Sequence, residues 1–566
     1  MSEAFPWLAE RTLPQVLRAR ARDVPDGTAC VIAYPDRDDE VYSIAELMRL
    51  AERYAARYAS LARGEEPALV CVCLYHGIHL HAAFVGALLA GQIPSMIAPP
   101  SPRMDREKYL RSFVRMLGHI RPDVLVADGE VLGALRRLEV TEAVGGLLLD
   151  PTEIEAADVP AVAAPPAPSD ASVAFLQHSS GTTGLQKGVA LSHRAVLQQL
   201  RAYIPAIGLQ PSDVILSWLP LYHDMGLIAC FVLPLLSGVP VVELSPFDWV
   251  ARPGLLLRKA QQHGATLCWL PNFAYSFMSK SIRGAVAEHG DLASVRAFVN
   301  CSEPVMAASH REFVERFGTV GVTAERLTAC YAMAENVFAA TQSAPGKPPR
   351  VDRISRSRFE REHLAEQAEE GEAALELVSN GRPIDGVEVR IVDDAGAGLP
   401  PRSVGEICLR GSSLFAGYFR RDDLTEQAFD GDWYRTGDLG YLADDELYVT
   451  GRKKDLIIIQ GRNFYPADVE AAVAEIDGVI GGRVVAFGAA DAQSGTESLV
   501  LIAESAEQDP AEQGRIKREI RAHVAQSFDC TVGGVHIVPP RWMVKSTAGK
   551  VARADNRSKY ERLLRG

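Results

Sequence analysis

The densest run of residues able to do chemistry is Phe175-Leu-Gln-His-Ser-Ser-Gly-Thr-Thr-Gly-Leu-Gln-Lys-Gly-Val-Ala-Leu-Ser192. Within it Gly181 and Gly184 stand among the hydroxyls of Ser179, Ser180, Thr182 and Thr183, and Lys187 follows. Glycine lets backbone N–H groups turn toward an anion, hydroxyls add donors, and lysine adds a full charge, so this loop is suited to a polyphosphate. It is not a Walker loop, because Gln186 and Gly188 occupy the positions where that motif needs glycine and a Ser or Thr. A polar surface loop has the same composition. The Lys187-Gly188 ending, followed by an apolar run and His193, weighs against that reading.

Such a loop needs a rigid frame. Val173 to Leu176 reads as a strand entering it, and Val159 to Ser169, rich in Pro and Ala, reads as a surface connection before it. Upstream, Leu13 to Arg22 looks helical and Thr28 to Tyr34 extended. Ser43-Ile-Ala-Glu46 has capping-box spacing and opens a helix through Leu61. Ala68 to Leu74 is a continuous apolar run, suited to a strand buried on both faces, and a helix from His79 to Leu89 follows. This alternation argues for layered α/β architecture. His76, His79 and His81 invite a metal, but no acidic or Cys partner is spaced to complete a site, and helix-entry residues fit better.

Downstream, Ser217 to Ile228 ends a strand and starts a helix through Leu236. His223 and Asp224 lie at the junction, where Asp224 suits a cap. Trp269, Phe273 and Phe277 can line an apolar pocket; plain core packing explains each of them as well. Val351 to Glu376 sets Phe359 and Leu364 among many charges and reads as a solvated helix or loop. Asp468 to Ile476 reads as a helix, Arg483 to Phe487 and Leu499 to Ala503 as strands. A later helix carries Ile516, Ile520, Val524 and Phe528 on one stripe.

At 566 residues the chain is long enough for at least two domains. Its 47% hydrophobic and 23% charged residues are ordinary for a soluble globular protein. A net charge of −13 argues against nucleic acid as a partner. The nine cysteines are scattered; Cys71 and Cys73 lack a second pair at metal-ligand spacing and read as buried thiols. The start, Met1-Ser-Glu-Ala-Phe-Pro-Trp, shows no signal-peptide pattern, and the apolar run near Ala82 to Ala90 is too short to span a bilayer. A cytoplasmic enzyme is expected.

The Ser179 to Lys187 stretch resembles the phosphate loop of the adenylate-forming enzymes, the group of acyl-CoA synthetases, peptide-synthetase adenylation domains and luciferases. Further stretches follow in the family's order: Tyr222-His-Asp-Met-Gly-Leu227, Asn300-Cys-Ser-Glu-Pro304, Tyr331-Ala-Met-Ala-Glu-Asn336, Tyr434-Arg-Thr-Gly-Asp-Leu439, Gly451-Arg-Lys-Lys-Asp-Leu456 and Lys545-Ser-Thr-Ala-Gly-Lys-Val-Ala-Arg553. The form of the first, with the aromatic segment at Trp269, is close to that of the fatty acyl-AMP ligases. Val351 to Glu376 resembles the insertion that separates those enzymes from acyl-CoA synthetases. Two positions depart from the common pattern: Cys301-Ser302 in the turn beside adenine, and Ala332 where glycine is commoner.

The resemblance runs from about Leu13 to Arg557 and implies a large α/β N-terminal domain of stacked sheets and helices, residues 1–452. A small mobile α+β lid, residues 453–566, would follow. It implies that Ser179, Ser180, Gly181, Thr182, Thr183, Gly184 and Lys187 hold the ATP phosphates, and that Ser302, Glu303 and Pro304 sit beside adenine. Tyr331 would stack on adenine, Asp438 would take the ribose hydroxyls, Arg452 would donate to the nucleotide, and Glu335 would bind Mg2+. His223 would border an acyl pocket shared with Trp269, Phe273 and Phe277. Lys454 would be the hinge and Lys550 the catalytic lysine, although a solvated basic tail also accounts for Lys545, Lys550 and Arg553. The implied reaction is ATP-dependent conversion of a carboxylic acid, fatty by resemblance, to acyl-AMP, then transfer to the phosphopantetheine thiol of an acyl carrier protein. The alternatives are an acyl-CoA synthetase, an amino-acid-adenylating enzyme in which Asp224 faces a substrate amine, and a non-catalytic nucleotide-binding protein.

Overall fold

Continuous apolar runs become strands covered on both faces. Leu69–Cys73 is buried throughout and pairs parallel with Ile93–Met96 and Val124–Ala127. The computed structural model describes residues 4–59, 66–100, 106–137, 147–156, 168–178, 187–459, 462–491, 496–528, 530, 532–546 and 549–563. The expected phosphate-loop residues Ser179 to Gly184 lie outside this set. Among the described residues, Leu69–Cys73 belongs to a seven-stranded sheet that also contains Val173–His178 and Gly188–Ser192. A nine-stranded sheet has Ile215–Ser217, Leu267–Leu270, Ala297–Asn300 and Leu327–Ala332 side by side and parallel.

The helix Ile78–Leu89 lies between these sheets and is apolar on nearly every side, as a helix with no solvent face must be. Phe84 packs 5.5 Å from Phe175 of the seven-stranded sheet, and His81 Nε2 lies 2.8 Å from Glu243 Oε2 of the nine-stranded one. Gly86 allows close approach to the preceding helix, Ile44–Ala59: a Cβ there would sit 2.6 Å from the Ala51 carbonyl oxygen. That preceding helix has the expected capping box, with Ser43 N–H and Oγ both donating to Glu46. His76 and His81 contact Glu243, and His79 lies between Tyr54 and Glu155. Among the described residues no His, Cys, Asp or Glu cluster is arranged to hold a metal ion.

A separate apolar core begins at Ile457 and includes Phe464, Val469, Leu501 and the predicted stripe Ile516, Ile520, Val524 and Phe528. Its sheet has Val484–Asp491, Thr496–Glu504 and Val532–Val538, packed by the helices Pro466–Ala474 and Pro510–Phe528. The segment expected to be solvated is instead built: strand Val351–Ser355, helix Arg356–Glu362, and strand Ala374–Val378 paired back to the first. Phe359 is fully buried, in a cluster with Tyr441, Tyr448 and Tyr465. Its local charges conceal this, because the covering residues lie far along the chain. Among the described residues no helix is long and apolar enough to cross a membrane.

Candidate active site

Ligands of parallel α/β sheets bind beyond the carboxyl ends of the strands. Here a cavity of about 990 Å³ lies at those ends. His178 closes Val173–His178, Trp218 follows Ile215–Ser217, Pro271 follows Leu267–Leu270, and Ala332 ends Leu327–Ala332; all four line the cavity. Lys550 reaches it from the C-terminal region, and Arg452, Lys453 and Lys454 from the connection to that region.

At one end Tyr331 Oη donates to Asp438 Oδ2 at 2.7 Å, and Arg452 Nε lies 3.4 Å from Asp438 Oδ1. Burial raises the Asp438 carboxyl, with Arg452 opposing it; Asp438 in turn raises the Arg452 guanidinium. A carboxylate fixed between an aromatic ring and a cation is placed to accept sugar hydroxyls. Farther along, Tyr418 Oη donates to Glu335 Oε1 at 3.0 Å, and Lys187 Nζ lies 4.4 Å from the Tyr418 ring centroid. Burial also raises Glu335 and Asp224, and Asp224 and Asp438 both add negative charge near Glu335. A half-buried carboxylate with two others near it favours a cationic ligand. One carboxylate plus substrate phosphates is an ordinary magnesium donor set, so Glu335 fits that ion.

His223 and Asp224 both line the cavity. Asp224 Oδ1 caps the next helix by accepting the Met225 N–H at 2.8 Å, as its residue type predicts. The helix differs from expectation: Met225–Val232 is π-helical, and only Leu233–Ser237 is α. Such wide turns recur at functional sites.

Ser302 lines the cavity in a left-handed conformation, φ 71°, and its carbonyl oxygen accepts a hydrogen bond from Lys550 Nζ. Glu303 serves the neighbouring helix, accepting the Phe273 N–H at 2.9 Å, and neither it nor Pro304 lines the cavity. None of the expected acyl-pocket aromatics Trp269, Phe273 and Phe277 lines this cavity. Trp269 is fully buried within its sheet, its indole N–H donating to Tyr203 Oη at 3.0 Å; a strand covered on both faces leaves that N–H no solvent and demands a partner. Phe273 and Phe277 pack around Trp249, at 6.3 and 5.2 Å between ring centroids. Trp249 stacks at 3.6 Å on Trp218, the indole that does face the cavity.

Sequence reasoning missed Tyr418, which joins Glu335 to Lys187. Gly417-Tyr418 pairs with Val189-Ala190 at the sheet edge, and only that pairing places the phenol.

A family model described as AMP-binding enzyme matches residues 17–419. The long-chain-fatty-acid–AMP ligase FadD26 of Mycobacterium marinum is 30% identical, over 97% of each chain. A structure from a study of fatty acyl-adenylate ligases of E. coli and L. pneumophila superposes with a TM-score of 0.91 at 27% identity, covering 98% of this chain and 99% of that one. A fatty acyl-adenylate ligase of L. pneumophila, solved with acyl adenylate and pyrophosphate, gives a TM-score of 0.75 at 29% identity, covering 99% and 97%. The chain belongs to the AMP-binding enzyme family. By type it is an acyl-adenylating ligase.

Proposed function

We propose that this protein activates a fatty acid with ATP to acyl-AMP and pyrophosphate in the cytoplasm, then delivers the acyl group to the phosphopantetheine thiol of an acyl carrier protein. The supporting observation is the Lys550 contact with the Ser302 carbonyl, which brings a cation from near the C-terminus into a cavity otherwise lined by residues between His119 and Lys454. A carboxylate oxygen attacks the α-phosphorus as the bond to the β-phosphate oxygen breaks. The two reactants are both anions, so fixed positive charge at their meeting point lowers the barrier. Lys550 bridges the carboxylate and α-phosphate, Lys187 holds the outer phosphates, and Tyr331, Asp438 and Arg452 hold the nucleoside. Glu335 would hold a magnesium ion, which when bound neutralises phosphate charge. Turning about Lys454 then exchanges Lys550 for a thiol-accepting face.

A carrier protein is preferred over CoA because the segment 351–376 ties the large domain to the lid. Phe359 packs 4.9 Å from Tyr465, Glu360 pairs with Arg462 at 2.7 Å, and Arg356 lies 4.5 Å over Phe528. The amino-acid reading is less supported, because Asp224 is engaged as a helix cap and burial disfavours its ionised form.

The test measures acyl-AMP formation with fatty, aryl and amino acids, then acyl transfer to holo-carrier protein and to CoA. Lys550→Ala should slow adenylation by about 10²–10³ while AMP still binds. Adenylation by that variant at the wild-type rate would remove Lys550 from its role. Equal transfer by the wild type to CoA and to the carrier would remove the acceptor assignment.

A further inference from the structure

His178 and Gln177 are the last two residues of Val173–His178, and both line the cavity. His178 is 7% exposed and Gln177 2%, yet neither ring nitrogen of His178 and neither amide atom of Gln177 has a hydrogen-bond partner among the described residues. Buried polar groups are nearly always paired, because leaving one unpaired forfeits its hydration for nothing. Four unpaired polar atoms at a strand's carboxyl end, in a cavity wall, point to a ligand that supplies the partners.

The surroundings identify its chemistry. From the Asp438 end, the cavity wall runs through Glu335 and Tyr418 to Lys187, whose ammonium lies over the Tyr418 ring. Gly188 comes next: a Cβ there would lie 3.7 Å from His178 Cε1 and 3.5 Å from Phe419 Cβ. His119 and Arg420 line the same cavity, and Arg420 holds a left-handed φ of 56°. His178 thus lies beside the Gly188 backbone, one residue along the chain from Lys187, with Leu176 and Phe419 against the same glycine and the charge of His119 felt at its ring. Burial lowers its imidazolium to about 4, so at neutral pH the ring offers one N–H donor and one acceptor.

We propose that His178 is a binding residue for the terminal phosphates of ATP and for the pyrophosphate they become, donating a hydrogen bond to a phosphate oxygen held beside Lys187. This rests on the adenylation reading, although it concerns pyrophosphate directly. A neutral donor there would grip the leaving group less permanently than a second lysine, which suits a product that must depart.

The test uses the full chain with inorganic pyrophosphate and AMP as separate calorimetric probes, and with His178→Phe and His178→Gln. Phenylalanine fills the site without a polar atom, so the ligand-free protein should melt no lower than wild type. Its pyrophosphate affinity should fall about tenfold or more, as for a lost bond to a charged group, and its AMP affinity should stay within twofold. Glutamine keeps a donor and should recover most of the pyrophosphate affinity. If His178→Phe leaves pyrophosphate binding intact, or weakens AMP and pyrophosphate equally, the proposal is wrong. A wild type that binds pyrophosphate through His178 but forms no acyl-AMP would overturn the functional reading and leave this assignment standing.

Discussion

Replacing Phe359 with Leu and Glu360 with Gln together should release the lid and admit CoA. Leucine fills most of the space left by the ring, so the cluster with Tyr441 and Tyr448 stays closed while the pairing with Tyr465, 4.9 Å between centroids, is lost. An aromatic pair adds roughly 1 kcal/mol beyond its buried area. The Glu360–Arg462 pair, with side chains 5% and 20% exposed, is better sheltered than a surface pair and contributes about 1 kcal/mol. The two contacts are adjacent, so additivity is approximate, and their sum of about 2 kcal/mol shifts the lid equilibrium roughly thirtyfold. Acyl-CoA formation at saturating CoA should rise by that order, while acyl-AMP formation, measured by ATP–pyrophosphate exchange, changes less than twofold. Hydrogen exchange reports lid release independently at Ile457–Ile459 and Arg462–Phe464, the hairpin beside these contacts. If exchange there accelerates and CoA is still refused, the tether is not what excludes CoA. If adenylation falls in step with any gain, the segment is simply part of the fold.

Two other outcomes follow from buried side chains. Trp269→Ala should cost about 3–5 kcal/mol through the cavity it leaves and the partner removed from Tyr203, read as a lower denaturation midpoint; a variant of unchanged stability that prefers longer acyl chains would instead place Trp269 in an acyl channel. Burial lowers His178, His193 and His310 each to about 4, against about 6.5 unfolded. Below pH 6.5 the unfolded chain therefore binds protons first, so stability from these residues is complete above pH 6.5 and declines toward pH 4, by up to about 3 kcal/mol for each. Urea denaturation from pH 7 to 4.5 should show that decline, and His310→Gln should flatten it; an unchanged slope would mean His310 titrates normally when folded.

Much of the frame is visible in the order of residues because local rules and burial agree there. Leu69–Cys73 is apolar throughout and is buried on both faces; Ser43 and Glu46 satisfy each other across one turn; Ile516, Ile520, Val524 and Phe528 share one helix face. Features that depend on distant partners could not be read this way. Phe359 is surrounded by charges in sequence and by Tyr441, Tyr448 and Tyr465 in space, so composition describes only its exposed neighbours. Trp269 looks equally suited to a pocket wall or a core until Tyr203, 66 residues away, claims its N–H. The π-helical turn at Met225–Val232 leaves no apolar period to detect, since that segment is buried on every side.

The residues that break local rules are not scattered. Ser302 in a left-handed conformation, the wide helix after Asp224, three half-buried carboxylates at Asp224, Glu335 and Asp438, and the unpaired His178 all face one cavity. Each costs stability in the ligand-free protein, and a sequence selected for folding alone would repair them separately. Their shared location implies that a shared ligand supplies what they lack. Cations and phosphate oxygens offset the carboxylates and the imidazole, and the turn at Ser302 presents its carbonyl to Lys550. On this argument nucleotide and pyrophosphate should each raise the melting temperature more than their charge alone would at other sites. The gain should shrink in variants that remove one of these irregular features while leaving the frame intact.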